Sequence, residues 1–388
     1  MSNQRPSSIA EFFHKPNREG SKYLNINKQN GICDACIHNE NKQHKINWTK
    51  RESELKKLLE KYRGKGDYDC LVPGSGGKDS AYQAHILKYK YGMNPLVVTW
   101  PPILYTEYGK INYDNWINLG GFDSLIVRPN GKVMKLLTKL SIEKLLHPFQ
   151  TFILGQKNLA AKIAAKFNIN LVFYGENEAE YGNPLAENFN SLRDKSYFSS
   201  TNFKKLFLAG TSISELLNSY KLRMKDLKIF LPINIRDLYK KNIEIHYLGY
   251  YLKWTPQEAF YYAVKNTGFK PRPYRTQGTF SRYNSIDDKI DDLHYYTTFI
   301  KFGIGRATYD ASQEIRNKHI NRVEAKALVK KYDGEFPDKY FKDIMSYLDI
   351  NENLFFKKCD SFRSPHIWKK IKKEWKLRHT VNNDGVDD

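Results

Sequence analysis

CLVPGSGGKDSAYQ, residues Cys70 to Gln83, decides the fold. A run of strand-forming residues leads into a glycine-rich turn, and the turn into DSAYQAHILKYKYG, whose apolar spacing is that of a helix. The unit is strand, turn, helix. Gly74, Gly76 and Gly77 leave the turn without side chains that would obstruct a ligand. The N-terminus of the following helix aims unpaired N–H groups and partial positive charge at the same place, so an anion, above all phosphate, is the expected guest. Spacing excludes two common phosphate loops. A Walker A loop follows its lysine with Ser or Thr, whereas Lys78 is followed by Asp79. A dinucleotide fingerprint needs a third glycine where this chain has Asp79.

What remains, Ser75-Gly76-Gly77-Lys78-Asp79-Ser80, resembles the SGGxDS loop of the PP-loop ATP pyrophosphatases, which cleave ATP between its α and β phosphates. The surrounding chain supports an α/β architecture. YDCLVP, NPLVVTW, DSLIVRP, INLVFYG and EIHYLGYYL read as five strands separated by helices, and a parallel sheet covered on both faces is the natural assembly. Ligands of such sheets collect beyond the carboxyl ends of the strands. Pro73 to Ser80, Thr99-Trp100 and Gly175-Glu176-Asn177 are therefore expected to converge on one crevice.

The expected fold is a Rossmann-like PP-loop sheet, of the adenine nucleotide alpha hydrolase type, with a Cys-containing N-terminal arm and a mainly helical C-terminal domain. The boundaries are 1–66 for the arm, Cys pair and first helix, 67–253 for the ATP-binding domain with an insertion at about 182–242, and 254–388 for the helical substrate or partner domain. The insertion is too long for an ordinary connection and reads as a lid or a partner surface. Thr49 and Glu52 are spaced as a capping box before a helix whose inner face is Leu55, Leu58, Leu59 and Tyr62. Thr255 and Pro256 read as the cap and first residue of another helix.

Composition narrows the class of protein. The chain has 388 residues, 40% hydrophobic and 14% aromatic, which suits a globular protein rather than a disordered one. No apolar run is long enough for a membrane span and the first residues lack the apolar core of a signal peptide, so a cytoplasmic protein is expected. Four cysteines are too few for a disulfide framework. The formal charge of +21 fits nucleic acid, an acidic surface, or anionic substrates together with ATP, and by itself does not choose among them. HIWKKIKKEWKLRH mixes tryptophan with lysine as single-strand grooves do, but reads better as an amphipathic helix with Ile367, Trp368, Ile371 and Trp375 packed inward.

The C-terminal half carries GTFSRYNSIDDKIDDLHYYTTFIKFGIGRATYDASQEIRN, where Asp287, Asp288, Asp291 and Asp292 lie close to His294, Lys301 and Arg306. Aspartates at these spacings also suit a solvated helix surface. From about Gly31 to Pro337 the chain resembles the N-acetyl sugar amidotransferases of bacterial surface-polysaccharide and flagellar-glycan biosynthesis, through GICDACIHNE, INWTKRESELKKLLEKYR, VPGSGGKDSAYQ, FYGENEAEYG, HYYTTFIKFGIGRATYDASQEIRN and YDGEFP.

That resemblance implies an enzyme that uses ATP and magnesium to convert the acetamido group of a nucleotide-activated or nonulosonic N-acetyl sugar into an acetamidino group. Ammonia comes from a class I glutamine amidotransferase, with an ammonia-channel subunit as a further candidate partner; nucleic acid is not the expected partner. By the same resemblance Pro73, Gly74, Ser75, Gly76, Gly77, Lys78, Asp79 and Ser80 hold the nucleotide, Lys78 offsets phosphate charge, Asp79 positions magnesium, and Thr99, Trp100 and Gly175 border the adenosine. Glu176 and Asn177 are candidates to orient substrate or accept a proton from ammonia. His294, Lys301 and Arg306 are candidates for a sugar carboxylate or phosphate.

Members of this family open with a second Cys-x-x-Cys, whereas residues 1 to 30 here hold no cysteine. A metal-free knob is then expected, with Cys33, Cys36 and His38 or His44 as the candidate zinc ligands. The rival reading is a PP-loop tRNA-modifying enzyme of thiolation type. It explains the charge, but its sulfur chemistry needs more cysteines than Cys33, Cys36, Cys70 and Cys359 supply.

Overall fold

The five apolar segments form one parallel sheet in the computed structural model, which describes residues 26–27, 29–175, 180, 190–203, 206–365 and 367–381. Strands β1 (Cys70–Pro73), β2 (Pro95–Thr99), β3 (Asp123–Ile126), β4 (Leu171–Tyr174) and a fifth, Glu244–Tyr247, lie in the spatial order β3, β2, β1, β4, fifth. Cys70 aligns with Pro95 on one side of β1, and Leu71 with Val172 on the other. The chain builds outward from β1 to β3, then returns to the far side of β1 with β4. The gap between β1 and β4 is therefore the topological switch point, where a ligand crevice opens at the carboxyl ends.

Among the described residues, six α-helices precede or interleave with the first four strands: α1 (Asp34–His44), α2 (Trp48–Tyr62), α3 (Lys78–His85), α4 (Glu107–Asn118), α5 (Gly131–Leu145) and α6 (Gln150–Phe167). β2 is buried at every residue, as a strand covered on both faces must be. Alternate side chains serve opposite cores. Leu71, Val98, Val172 and Ile245 pack with α5 and α6. Val72, Val97, Leu171 and Phe173 pack with α2, α3 and the helix Pro256–Thr267. On α2, Leu55 and Leu59 are fully buried and Leu58 and Tyr62 flank them, as predicted. Its cap is different: Asn47 accepts from the Lys50 N–H, and Thr49 already lies inside the helix. Thr255 caps the 256–267 helix, with Pro256 in its first turn, as the sequence suggested.

The described part of the insertion is not a detached lid. Phe198, Leu208, Ile213, Leu216, Phe230 and Leu238 join the α5–α6 core, so the segment is a wall built into that face. After residue 268 the chain is mainly helical: Ile290–Phe302, Arg306–Arg316, Arg322–Tyr332, Asp338–Leu348 and Glu352–Ser361. Ile290, Leu293, Ile300, Phe341, Ile344 and Phe355 form a third core with the end of α5.

The lysine-tryptophan segment corrects an expectation. It is an antiparallel hairpin, Trp368–Ile371 with Glu374–Leu377, not a helix. Lys372 and Lys373 form the turn with φ of 48° and 71°, the positive pair that a two-residue hairpin turn requires. Trp368 is buried and its indole N–H donates to the Ile300 carbonyl at 2.8 Å, whereas Ile371 is exposed and Trp375 half-buried. Among the described residues no helix is long and apolar enough to cross a membrane.

Candidate nucleotide and substrate site

The loop after β1 is shaped by close backbone contact. Gly76 has φ +87°, and a Cβ there would sit 2.7 Å from Cα of Tyr113 and 2.9 Å from the Asn112 carbonyl oxygen. Only glycine satisfies both the angle and the space. The Gly74 N–H donates to the Val98 carbonyl at 3.0 Å, and the Ser80 hydroxyl to the Gly77 carbonyl at 3.0 Å. Gly77 stands at the N-cap of α3, so the first N–H groups of that helix face the crevice. Lys78 is buried, with Nζ 2.5 Å from Asp79 Oδ2. The Trp254 indole N–H donates to Asp79 Oδ1 at 3.1 Å, and the indole lies 5.7 Å from the Lys78 ammonium.

Two cavities meet at Ser75, Gly77 and Asp79. The larger, about 570 Å³, is lined by Pro73, Gly74, Ser75, Gly77, Asp79 and Ser80 from the loop, and by Trp100 and Gly175 from the next strand ends. Opposite them stand Gln156 and Lys157 of α6, with Tyr197 and Phe198 of the insertion. Lys157 Nζ lies 3.4 Å from the Tyr197 ring centre. The size suits a nucleotide. Its residues also fit one, since the glycine backbone of the loop, Ser75, Ser80 and the Lys157 cation line it. For magnesium the fitting donor is the Asp79 carboxylate, which borders both cavities. Thr99 departs from expectation: it is fully buried beneath the cleft and does not line it.

The smaller cavity, about 280 Å³, holds Gly76, Lys78 and Asp79 on one side and Arg306 on the other. Between them lie Asn112, Trp254, Tyr283, Asn284, Asp287 and Gln313, none of which the sequence had marked for the site except Asp287. Their signal was absent because they come from distant parts of the chain with no shared motif. Burial opposes the charge of Arg306, but Asp310 with Tyr295 and Tyr309 more than offsets it and holds the guanidinium firmly charged. Nη1 donates to the Tyr295 hydroxyl at 2.9 Å and Nε lies 2.8 Å from Asp310 Oδ1. Asp310 is fixed in turn by the Thr279 hydroxyl at 2.6 Å. The Gln313 amide nitrogen is buried without a hydrogen-bond partner, a donor available to a guest.

The other substrate candidates lie elsewhere. His294 is buried and stacks on His147, with ring centres 4.9 Å apart. Burial, helped by Lys301 and Arg306, pushes its pKa down to about 3, so it is a neutral packing group. Lys301 is buried against the Phe302 and Phe362 rings and lines neither cavity. The aspartates are not a solvated surface either. Asp288 accepts the Ile103, Leu104 and Ile290 N–H groups and burial raises its carboxyl to about 7. Asp292 is buried and likewise raised to about 7. Burial holds Asp291 well above the carboxylate range. Glu176 and Asn177 lie outside the described residues.

Cys33 and Cys36 bring their sulfurs to 3.5 Å at the start of α1. His38 turns away to Glu180 at 3.3 Å and His44 lies near Glu40 on the surface. Among the described residues no three His, Cys, Asp or Glu side chains gather around a metal position, so the candidate zinc ligands are not assembled.

Residues 277–382 match the family model "LPS biosynthesis protein WbpG-like, C-terminal domain". A comparison with curated proteins gives no match. Among solved structures, NMN synthetase from Francisella tularensis is similar at 16% identity and a TM-score of 0.27, over 35% of this chain and 57% of that one. This chain thus spans little more than half of that synthetase. NH3-dependent NAD synthetase from Campylobacter jejuni is similar at 16% identity and a TM-score of 0.29, over 47% and 77%. The U34-tRNA thiolase NcsA from Methanococcus maripaludis follows at 12% identity and 0.32, over 85% and 94%. The chain joins a five-stranded parallel sheet to a C-terminal segment, residues 277–382, that is similar to the C-terminal domain of WbpG-like LPS biosynthesis proteins.

Proposed function

We propose that this chain is an ATP-dependent amidotransferase of surface-glycan synthesis that turns the acetamido group of a nucleotide-activated or acidic N-acetyl sugar into an acetamidino group. One observation carries the reading: Asp79, paired with Lys78, borders both a nucleotide-sized cleft and a second pocket lined by Lys78, amides, aromatic rings and Arg306. An amide carbonyl is a poor electrophile and needs activation. Its oxygen attacks the α phosphorus of ATP, an O–P bond forms, and the bond to pyrophosphate breaks. Ammonia then adds to the adenylylated carbon, the C–O bond breaks and AMP leaves; the proton shed by nitrogen stays on the basic amidine.

In this scheme the protein contributes placement and charge rather than a covalent nucleophile. Ser75, Gly77, Ser80 and the N–H groups of α3 hold the departing pyrophosphate, and Lys78 offsets its charge. Magnesium, when bound, neutralises phosphate charge, and Asp79 is the residue to hold it. Trp254 keeps Asp79 oriented. Arg306 offers a bidentate fork to a carboxylate or phosphate of the sugar.

The four cysteines line neither cavity. Burial raises the Cys359 thiol to about 12 and also pushes Cys70 up. These are poor nucleophiles. The place of all four cysteines outside both cavities disfavours a sulfur-transfer enzyme and a built-in glutaminase, so ammonia is supplied by a separate class I glutamine amidotransferase, through a conducting subunit if one is present.

The test is incubation of the purified chain with ATP, magnesium, ammonium and a panel of nucleotide-linked and nonulosonic N-acetyl sugars. Mass spectrometry should find oxygen replaced by NH, with AMP and pyrophosphate formed in step, and Asp79→Asn should lower turnover about a hundredfold. Glutamine alone should give no product. Accumulation of ADP in step with product would refute the adenylylation scheme.

A further inference from the structure

The carboxylates around the smaller cavity are not equally occupied. Asp79 is engaged by Lys78 and Trp254, and Asp310, which backs Arg306, is engaged by Arg306 and Thr279. Asp287 lines the same cavity and is half-buried, yet among the described residues neither a hydrogen bond nor an ion pair occupies its carboxylate. Its neighbours feel the charge. Burial first, and then the Asp287 carboxylate, holds Asp291 well above the carboxylate range, and Asp287 adds to the burial that raises Asp288. Asp287 borders the smaller cavity and not the nucleotide cleft, which sets it apart from the phosphates and their magnesium.

The backbone that carries Asp287 is fixed on both sides. The Thr106 N–H donates to the Asp287 carbonyl at 3.1 Å, the Thr106 hydroxyl to the Ile286 carbonyl, and the Lys289 N–H to the Leu104 carbonyl at 2.8 Å. A Cβ on Gly109, in the first turn of α4, would stand 2.5 Å from the Asp287 Cα, so glycine there lets the two segments touch. The carboxylate thus stands on a rigid support. A fixed carboxylate without a partner favours a positively charged guest, and the proposed reaction makes one. The acetamido group is neutral. The acetamidino group takes up a proton and becomes a planar amidinium, whose two nitrogens share the charge and present N–H groups to a carboxylate much as a guanidinium does.

We propose that Asp287 is a catalytic residue that holds the amidinium as it forms. The inference rests on the amidotransferase reading. When ammonia adds, its lone pair makes the C–N bond and the electron pair of the C–O bond leaves with AMP. One proton stays on the amidine and another goes to the phosphate products. Positive charge therefore settles on the carbon and its two nitrogens late in the reaction, and a carboxylate already in place stabilises that charge more than it stabilises the neutral amide. In a cavity of about 280 Å³ a sugar meets most of the wall at once, so Arg306 takes an acidic group of the sugar while Asp287 takes the amidinium.

The test uses the purified chain, ammonium chloride as nitrogen source, the panel sugar that yields amidine, and that purified amidine as a competitor. Wild-type protein should bind the amidine about tenfold or more tighter than the acetamido sugar. Asp287→Asn should abolish that preference and lower amidine formation about a hundredfold, with the KM for ATP unchanged. Asp287→Glu keeps the charge and should recover part of both. If Asp287→Asn fails to fold, the wild-type preference carries the test, and equal affinity for amidine and acetamido sugar overturns the proposal. A folded Asp287→Asn that keeps the preference also overturns it, as does one whose sole defect is a higher magnesium requirement, which would make Asp287 a metal ligand. Wild-type protein that makes no amidine from any sugar of the panel overturns the amidotransferase reading itself, and this role with it.

Discussion

The loop from Pro73 to Ser80 and the segment from Asp287 to Arg306 are both dense in groups able to do chemistry, yet they deploy them differently. Every loop residue borders one of the two large cavities. Of the marked residues in the second segment only Asp287 and Arg306 do, while Asp288, Asp292, His294 and Lys301 are buried. In the loop the backbone is the binding group, so the turn exposes its chemistry whatever direction side chains take. On a helix the phase decides, and residues one turn apart can face a ligand or a core. Charged residues that look alike in sequence therefore divide into one that serves the site and several that shape the interior.

The comparison breaks most sharply at Gly76. Gly76→Ala should reduce AMP formation by about three orders of magnitude, because the added methyl meets the Tyr113 backbone and the angle of +87° disfavours any side chain. Circular dichroism should still report a folded protein. Turnover within a few-fold of wild type would mean that the loop need not hold this shape.

A smaller effect is expected at the second segment. Arg306→Lys should lower kcat/KM for the sugar by about ten- to a hundredfold with the ATP KM intact, since lysine cannot reproduce a bidentate fork. Lys301→Met should alter thermal stability and leave the sugar KM unchanged. Equal effects of the two on sugar KM would erase the distinction drawn between them.

The mildest effect concerns the buried carboxyl of Asp292. Burial raises its pKa to about 7, against the pull of Arg272 and Lys339, from the ordinary aspartate value of 3.8. Between those values the folded state binds more protons than the unfolded one, so stability falls as pH rises from about 4 to about 7 and the loss is complete above that. Asp292→Asn removes this term. Denaturant unfolding should find the variant more stable than wild type by about 1–3 kcal/mol at pH 8 and by much less at pH 5. A difference that stays constant across that range would assign the pH dependence to other groups, Asp288 first.

Sequence alone determined the strand-turn-helix unit, the five strands of the sheet and the Thr255 cap. Each follows from near neighbours: alternation along a strand, a cap one turn from its amide, glycines where a turn needs them. It did not reveal that Asn47 rather than Thr49 starts α2, because both offer a capping oxygen and only the chain's entry into the core selects one. The Lys372–Lys373 turn likewise became a hairpin because Trp368 found a buried seat and a carbonyl partner at Ile300. Tertiary structure alone brought Trp254 to Asp79, carried Arg306 and Gln313 to the loop, turned His294 against His147 and left Cys33 and Cys36 without a third ligand among the described residues. These are contacts between segments far apart in the chain, fixed by how helices pack on the sheet, and no local pattern encodes which face of a helix will meet which neighbour.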